Sequence, residues 1–296
     1  MSKLKPVCYV GMSLHPRARE ALAARFDIIE DEAELGRASA ALVYTVPERW
    51  VSDKAAQGLH FIGCHATEPG SRRWIYDCGF VLILAKSLWR TVAEHTLALM
   101  MAATRNIARA DEAIRCGQWR NHHDLKVRFS GLDFQGKTVG IWGMGKIGAE
   151  LCDMLRGFRM CILYNDIARR PDEWEASMGA TYAPLLDMLA QSDYLCVLLP
   201  LNDETTGLMG AEEFATMKRG CVLVNTARAG IIDEGAFRTA LTDGTVGAAA
   251  LDVFWNEGAP QPDYLTSAEN VVLSPHLGGS TYECDMVLVN GISMRG

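Results

Sequence analysis

The chain of 296 residues carries a formal net charge of −7, and its length is generous for one core and comfortable for two domains. Its lysines and arginines are scattered, which excludes an extended nucleic-acid or membrane-surface footprint and leaves room only for a local basic pocket. The nine cysteines show no CxxC or zinc-like spacing and read as reduced thiols; Met1-Ser2-Lys3-Leu4-Lys5-Pro6 carries no apolar signal run, so a cytoplasmic protein without a membrane span is expected.

Short apolar runs at Val7–Val10, Ala41–Tyr44, His60–Gly63 and Phe80–Leu84 read as strands, with a helix over Pro16–Arg25 between the first two. This alternation predicts a parallel sheet covered by helices. Thr91-Val92-Ala93-Glu94 has the form of a capping box and predicts a long helix from His95 to about Arg109, suited to connect two domains. The polar and aromatic stretch Gly117–Gln135, with Trp119, His122 and His123, predicts a loop wrapped over a neighbouring surface. No third ligand lies at a usable spacing from its histidine pair, so no metal site is expected there.

The most specific signal lies in the middle of the chain. Thr138–Trp142 reads as a strand, then comes Gly143-Met144-Gly145-Lys146-Ile147-Gly148, a helix to about Gly157, and a second strand at Met160–Tyr164 ending in Asn165-Asp166. Gly143 permits the tight strand-to-helix turn, Gly145 lets backbone N–H groups approach a pyrophosphate, and Gly148 lets the helix pack close to its strand. The helix N-terminus then faces the anion. Asp166, placed to accept hydrogen bonds from a ribose, favours NAD over NADP, because a 2′-phosphate would meet its charge. Arg169 and Arg170 complicate that reading: they form either a solvated turn before Pro171 or a pair able to swing toward a 2′-phosphate.

The strand series continues with Tyr194–Leu199, Val222–Asn225, Ala248–Leu251 and Val271–Leu273, making six strands with the two above, as a Rossmann sheet requires. Past three of these strands lie Asn225-Thr226-Ala227-Arg228-Ala229-Gly230, Asp252-Val253-Phe254-Trp255-Asn256-Glu257 and Ser274-Pro275-His276-Leu277-Gly278-Gly279. Ligands bind at such strand ends in open α/β sheets. A guanidinium can hold a carboxylate while polarising a neighbouring carbonyl, imidazole can give or take a proton near neutral pH, and a carboxylate can orient the ring. Arg228, His276 and Glu257 fit these three roles.

From Thr91 to Thr281 these motifs, in this order, resemble the D-isomer-specific 2-hydroxyacid dehydrogenases, the family of phosphoglycerate, hydroxypyruvate, formate and phosphite dehydrogenases. The resemblance implies two Rossmann-like or flavodoxin-like α/β domains with doubly wound parallel sheets and an active site in the cleft between them. The substrate domain is expected at residues 1–90 plus 282–296 and the NAD-binding domain at 91–281. It implies NAD-linked hydride transfer by Arg228, Glu257 and His276 on a small anionic 2-hydroxyacid or 2-ketoacid, in a homodimer. Asp252 is expected at the nicotinamide amide. The expected cofactor contacts are completed by Gly143, Met144, Gly145, Lys146, Ile147, Gly148, Asp166, Leu199, Pro200, Thr205, Thr226, Ala227, Gly278 and Gly279.

Three departures from the family pattern bear on the substrate. Cys64-His65-Ala66-Thr67-Glu68-Pro69-Gly70-Ser71-Arg72-Arg73-Trp74 replaces the glycine-rich loop with Asp-Asn, and Lys86-Ser87-Leu88-Trp89-Arg90 replaces an Asn-Pro-Gly-like stretch. Arg72, Arg73, Lys86 and Arg90 either add charge suited to a phosphoryl, phosphonate or second carboxylate group or balance an acidic surface. The stretch Thr281–Arg295 reads as a shortened return to the substrate domain. Glu257 argues against formate, where resembling enzymes carry Gln. Phosphite or phosphonate oxidation on the same scaffold, and an NAD(H)-sensing protein like the corepressors of this fold, stand as alternatives.

Overall fold

The computed structural model describes residues 5–51, 53, 56–65, 79–85 and 88–293. The chain divides into two compact units, Met1–Thr91 with Gly279–Gly296, and Val92–Gly278. In chain order the first unit contains β1 (Val7–Gly11), α1 (Pro16–Ala23), β2 (Asp27–Ile29), β3 (Ala40–Val43), β4 (Phe61–Cys64) and β5 (Val81–Leu84), followed by α2 (Leu88–Thr104), which runs on into the second. Then come α3 (Ile107–Arg115), α4 (His122–Arg128), β6 (Thr138–Trp142), α5 (Lys146–Leu155), β7 (Cys161–Asn165), α6 (Asp172–Met178), β8 (Ala180–Tyr182), α7 (Leu185–Gln191) and β9 (Tyr194–Val197). The second unit closes with α8 (Ala211–Thr216), β10 (Cys221–Asn225), α9 (Glu234–Asp243), β11 (Val246–Leu251), α10 (Asp263–Thr266) and β12 (Val271–Leu273), and α11 (Tyr282–Ser293) returns to the first.

The first unit's sheet has the order β2-β1-β3-β4-β5, every pair parallel. That is the flavodoxin-like order. α11 packs on β4 and α1 through buried Cys284, Leu288, Val289 and Ile292. A buried polar tie joins the same elements: His65 Nε2 lies 2.9 Å from Asp285 Oδ1, and Asp285 Oδ2 accepts the His15 N–H at 2.7 Å.

The second sheet runs β12-β11-β10-β9-β6-β7-β8, again all parallel. Strand order reverses between β6 and β9, the switch point where doubly wound sheets bind ligands. Side-chain alternation fills both faces. Ile141, Tyr194, Cys196, Val222 and Val224 enter one core with Leu99, Met100 and Leu151, while Trp142, Leu195, Val197 and Leu223 enter the other with Met188, Phe214 and Phe237. Strands buried on both faces read as unbroken apolar runs, which is why these were legible. The expected α/β class with two doubly wound parallel sheets is the observed one.

Several element boundaries require correction. Thr91 lies inside α2, which begins at Leu88, so Thr91-Val92-Ala93-Glu94 does not cap it; the Thr91 hydroxyl instead meets Cys284 Sγ at 3.2 Å. The single helix expected from His95 to Arg109 is two, broken after Thr104, with Asn106 left-handed at φ 51° as the N-cap of α3; Asn tolerates that conformation better than most residues. Gly117–Gln135 contains α4 rather than loop alone. Two edge strands of three residues, β2 and β8, were not expected. Among the described residues, no helix is long and apolar enough to cross a membrane.

Candidate active site

The glycine turn after β6 is built by contacts that admit no side chain. Gly143 has φ +105°, and a Cβ there would lie 2.8 Å from the Leu198 carbonyl. A Cβ on Gly148 would lie 2.3 Å from the Gly143 carbonyl oxygen, so only glycine lets α5 start against the turn. Gly145 is the opposite case. A Cβ there would meet nothing within 4 Å, and as the N-cap of α5 it offers no side chain to the helix's first amides. Open space over a bare backbone at a helix N-terminus fits a dinucleotide pyrophosphate. Lys146 and Ile147 form the first turn of α5, and the Met144 side chain is buried beneath.

Asp166, just past β7, clasps this turn. Its Oδ2 accepts the Met144 N–H at 2.7 Å and its Oδ1 the Ala168 N–H at 3.2 Å, and each oxygen keeps a second acceptor position. Arg170 holds the other side of the same residue, donating to the Met144 carbonyl from Nε at 3.0 Å and Nη2 at 2.5 Å, with its guanidinium over Trp174. Arg169 is engaged elsewhere. It forks onto Glu175 at 3.0 and 2.8 Å and reaches Asp172 at 2.9 Å. The Arg169 fork, with the Tyr164 hydroxyl, holds the Glu175 carboxyl down at about 2, while burial first and Glu175 second push Tyr164 up to about 12. Arg169 is exposed, as a solvated turn would have it, but both arginines are also engaged in bracing the loop, Arg169 on Glu175 and Arg170 on the Met144 carbonyl.

The remaining expected contacts lie at the ends of the neighbouring strands. Leu199 and Pro200 follow β9, and Thr205 Oγ1 donates to the Pro200 carbonyl at 2.6 Å. Asn225 shapes the loop after β10: its Oδ1 accepts the Ala227 N–H at 3.0 Å and its Nδ2 donates to the Arg228 carbonyl at 3.1 Å. Thr226 is buried with its hydroxyl 2.6 Å from that of Thr96 on α2, and Arg228 is exposed, with Nη1 donating to the Ala227 carbonyl at 2.6 Å.

His276 and Glu257 are brought together from loops 19 residues apart. His276 Nδ1 lies 3.0 Å from both Glu257 oxygens, and both side chains are roughly half exposed. His276 also carries backbone φ +56°, a conformation that non-glycine residues adopt at a cost and keep mostly at functional sites. Asp252 is buried and accepts the N–H groups of Leu277 and Gly278, both at 2.8 Å. Burial alone would raise its carboxyl, but hydrogen bonds from His95, Ser274 and Leu277 outweigh it and hold the group below the usual range. His95, whose Nε2 is 3.2 Å from Asp252 Oδ1 and 3.1 Å from Ser274 Oγ, was not singled out from the sequence. Gly279 stands in the first unit, where a Cβ would lie 2.5 Å from Leu88.

Residues 97–278 match the family described as "D-isomer specific 2-hydroxyacid dehydrogenase, NAD binding domain". The chain belongs to that family. Residues 97–278 are thus its NAD-binding domain, and the glycine turn described above has the form such a domain requires. The chain is 40% identical over 214 residues to a glyoxylate reductase of Korarchaeum cryptofilum, covering 70% of this chain and 64% of that protein. It is 41% identical over 197 residues to a glyoxylate/hydroxypyruvate reductase B of Erwinia tasmaniensis, covering 66% and 60%. The matched stretch thus spans less than two thirds of these relatives. A solved NADPH-dependent glyoxylate/hydroxypyruvate reductase from Sinorhizobium meliloti, in complex with NADP and malonate, is 26% identical with a TM-score of 0.78, covering 98% of this chain and 92% of that one.

Of the cations expected to bind substrate, Arg72, Arg73 and Lys86 lie outside the described residues. Arg90 is an exposed residue of the first turn of α2.

Proposed function

We propose that the chain reduces a small 2-ketoacid of the glyoxylate or hydroxypyruvate class with NADH. The observation that carries this reading is the His276–Glu257 pair, at 3.0 Å, on loops beyond the β11 and β12 ends of the sheet that carries the glycine turn. Bound NADH supplies the hydride. His276 supplies the proton: Nδ1 faces Glu257, so Nε2 is the nitrogen assigned to the ketone oxygen, and Glu257 favours the protonated ring that must donate. Arg228, exposed past β10, is assigned to the substrate carboxylate and to polarising the carbonyl. In the reverse direction the neutral imidazole takes the hydroxyl proton.

We assign Gly143 to Gly148 to the pyrophosphate, Asp166 to the adenosine ribose, and Leu199, Pro200, Thr205, Thr226, Ala227, Asp252, Gly278 and Gly279 to the rest of the cofactor. NAD is the favoured form because both arginines beside Asp166 are committed, Arg169 to Glu175 and Arg170 to Met144. A preference for phosphoryl, phosphonate or dicarboxylate substrates rests on the cationic segments around Arg72, Arg73, Lys86 and Arg90. A homodimer is favoured by the apolar side chains exposed on α3, α4 and their flanks, Ile107, Ile114, Trp119, Val127 and Leu132.

The deciding experiment is NADH oxidation measured with glyoxylate, hydroxypyruvate, pyruvate and phosphonopyruvate. Turnover of the first two supports the reading, and a tenfold higher kcat/KM for phosphonopyruvate supports the cationic refinement. NADH binding without turnover of any of them refutes the ketoacid-reductase reading and leaves phosphite or phosphonate oxidation or a nucleotide-sensing protein.

A further inference from the structure

The turn that carries His276 needs an anchor. Its positive φ is one of three among the described non-glycine residues, and its own N–H bends back to the Ser274 carbonyl at 3.0 Å. The next two residues are fixed by one carboxylate: Asp252 takes the N–H of Leu277 on Oδ1 and that of Gly278 on Oδ2, both at 2.8 Å. Asp252 is 1% exposed, and the protein groups that hydrogen-bond it set its orientation. The side chain that completes the arrangement comes from α2, far away in sequence. His95 Nε2 reaches Asp252 Oδ1 at 3.2 Å and Ser274 Oγ at 3.1 Å, touching both the residue that opens the turn and the carboxylate that closes it.

We propose that His95 is a positioning residue for His276, fixing through Asp252 and Ser274 the loop that aims the imidazole. The proposal rests on His276 being the proton donor. The other donors to Asp252, the Leu277 and Gly278 amides and the Ser274 hydroxyl, all belong to the turn itself and can shift with it; His95 is the donor that ties the carboxylate to α2. The same nitrogen meets Ser274, so the start of the turn and its anchor move together or not at all. Loss of this donor therefore changes where His276 points without removing a group that meets substrate or cofactor.

The test compares H95N with H95Q. Gln places an amide N–H2 where Nε2 stands, whereas Asn cannot reach it; both keep the site polar. For H95N the expected result is a 10- to 100-fold fall in kcat for ketoacid reduction with the ketoacid KM within about twofold of wild type, a loss larger than any in NADH affinity, since Asp252 and Gly278 are also assigned to the cofactor. Amide exchange at Leu277 and Gly278 should accelerate at least tenfold in H95N. H95Q should recover kcat to within about threefold and restore slow exchange. Equal losses in both variants, or wild-type kcat and exchange in H95N, would overturn the proposal. If the wild-type protein reduces no ketoacid, the proposed function fails, while the exchange comparison still decides whether His95 holds the loop.

Discussion

Gly145 and Gly148 lie three residues apart in the same turn, and the structure assigns them opposite burdens. A methyl at position 148 would stand 2.3 Å from the Gly143 carbonyl oxygen, inside any real van der Waals contact, so Gly148→Ala must push α5 off β6. Overpacking of this kind costs about 1–3 kcal/mol, and for a unit the length of Val92–Gly278 that is a fall in Tm of roughly 2–12 °C. Gly145→Ala places its methyl in open space and should change Tm little, the gain from a narrower unfolded ensemble being offset by alanine's weakness as the N-cap of α5. Its effect falls on the ligand. If that space receives the pyrophosphate, NADH affinity should drop about 10- to 100-fold, or about 1.4–2.7 kcal/mol. Thermal melts and NADH fluorescence titration on both variants separate the two burdens. Wild-type NADH affinity in Gly145→Ala, with the protein folded, would refute the placement of the cofactor on this turn.

His276→Gln should keep NADH binding and lose about two to four orders of magnitude in kcat, the usual value of a positioned acid/base; an unchanged rate in stopped-flow single turnovers would remove His276 from the chemistry. Asp166→Ala should narrow the ratio of kcat/KM for NADH over NADPH, and a wild-type preference for NADPH would contradict the role given to that carboxylate. Glu175→Gln tests the brace on Arg169: the folded carboxyl titrates near 2 against an ordinary 4.5, so its contribution is complete above about pH 4.5 and fades as pH falls toward 2. The stability gap between wild type and Glu175→Gln in urea melts should therefore be widest near neutral pH and close in acid; a gap that widens on acidification would reverse the assigned sign.

The fold was legible where burial on both faces wrote continuous apolar strands, as in Cys221–Asn225 and Tyr194–Val197. It was not legible in β2 and β8, where three residues at a sheet edge leave too short a pattern to show a period. The helix boundary failed for a different reason. Thr91-Val92-Ala93-Glu94 satisfies the local rule for a cap, yet Leu88 is buried and Thr91 finds Cys284, so tertiary contacts extend the helix a turn upstream.

The candidate site divides along the same line. Glycine spacing, Asp166 and the residues past each strand end were readable because a short stretch of chain contains the whole device. Arg169 and Arg170 were not, because their role depends on Glu175 and on the Met144 carbonyl, partners that the bare order of residues does not reveal. His95 is further out of reach: it stands 157 residues before Asp252 and 179 before Ser274, on a helix whose apolar face gives a histidine no evident task. A parallel sheet forces this separation. Each crossover needs its own helix, so groups that meet at the strand ends are remote in the chain, and the residues that hold a catalytic loop in place announce themselves only when the strands are laid side by side.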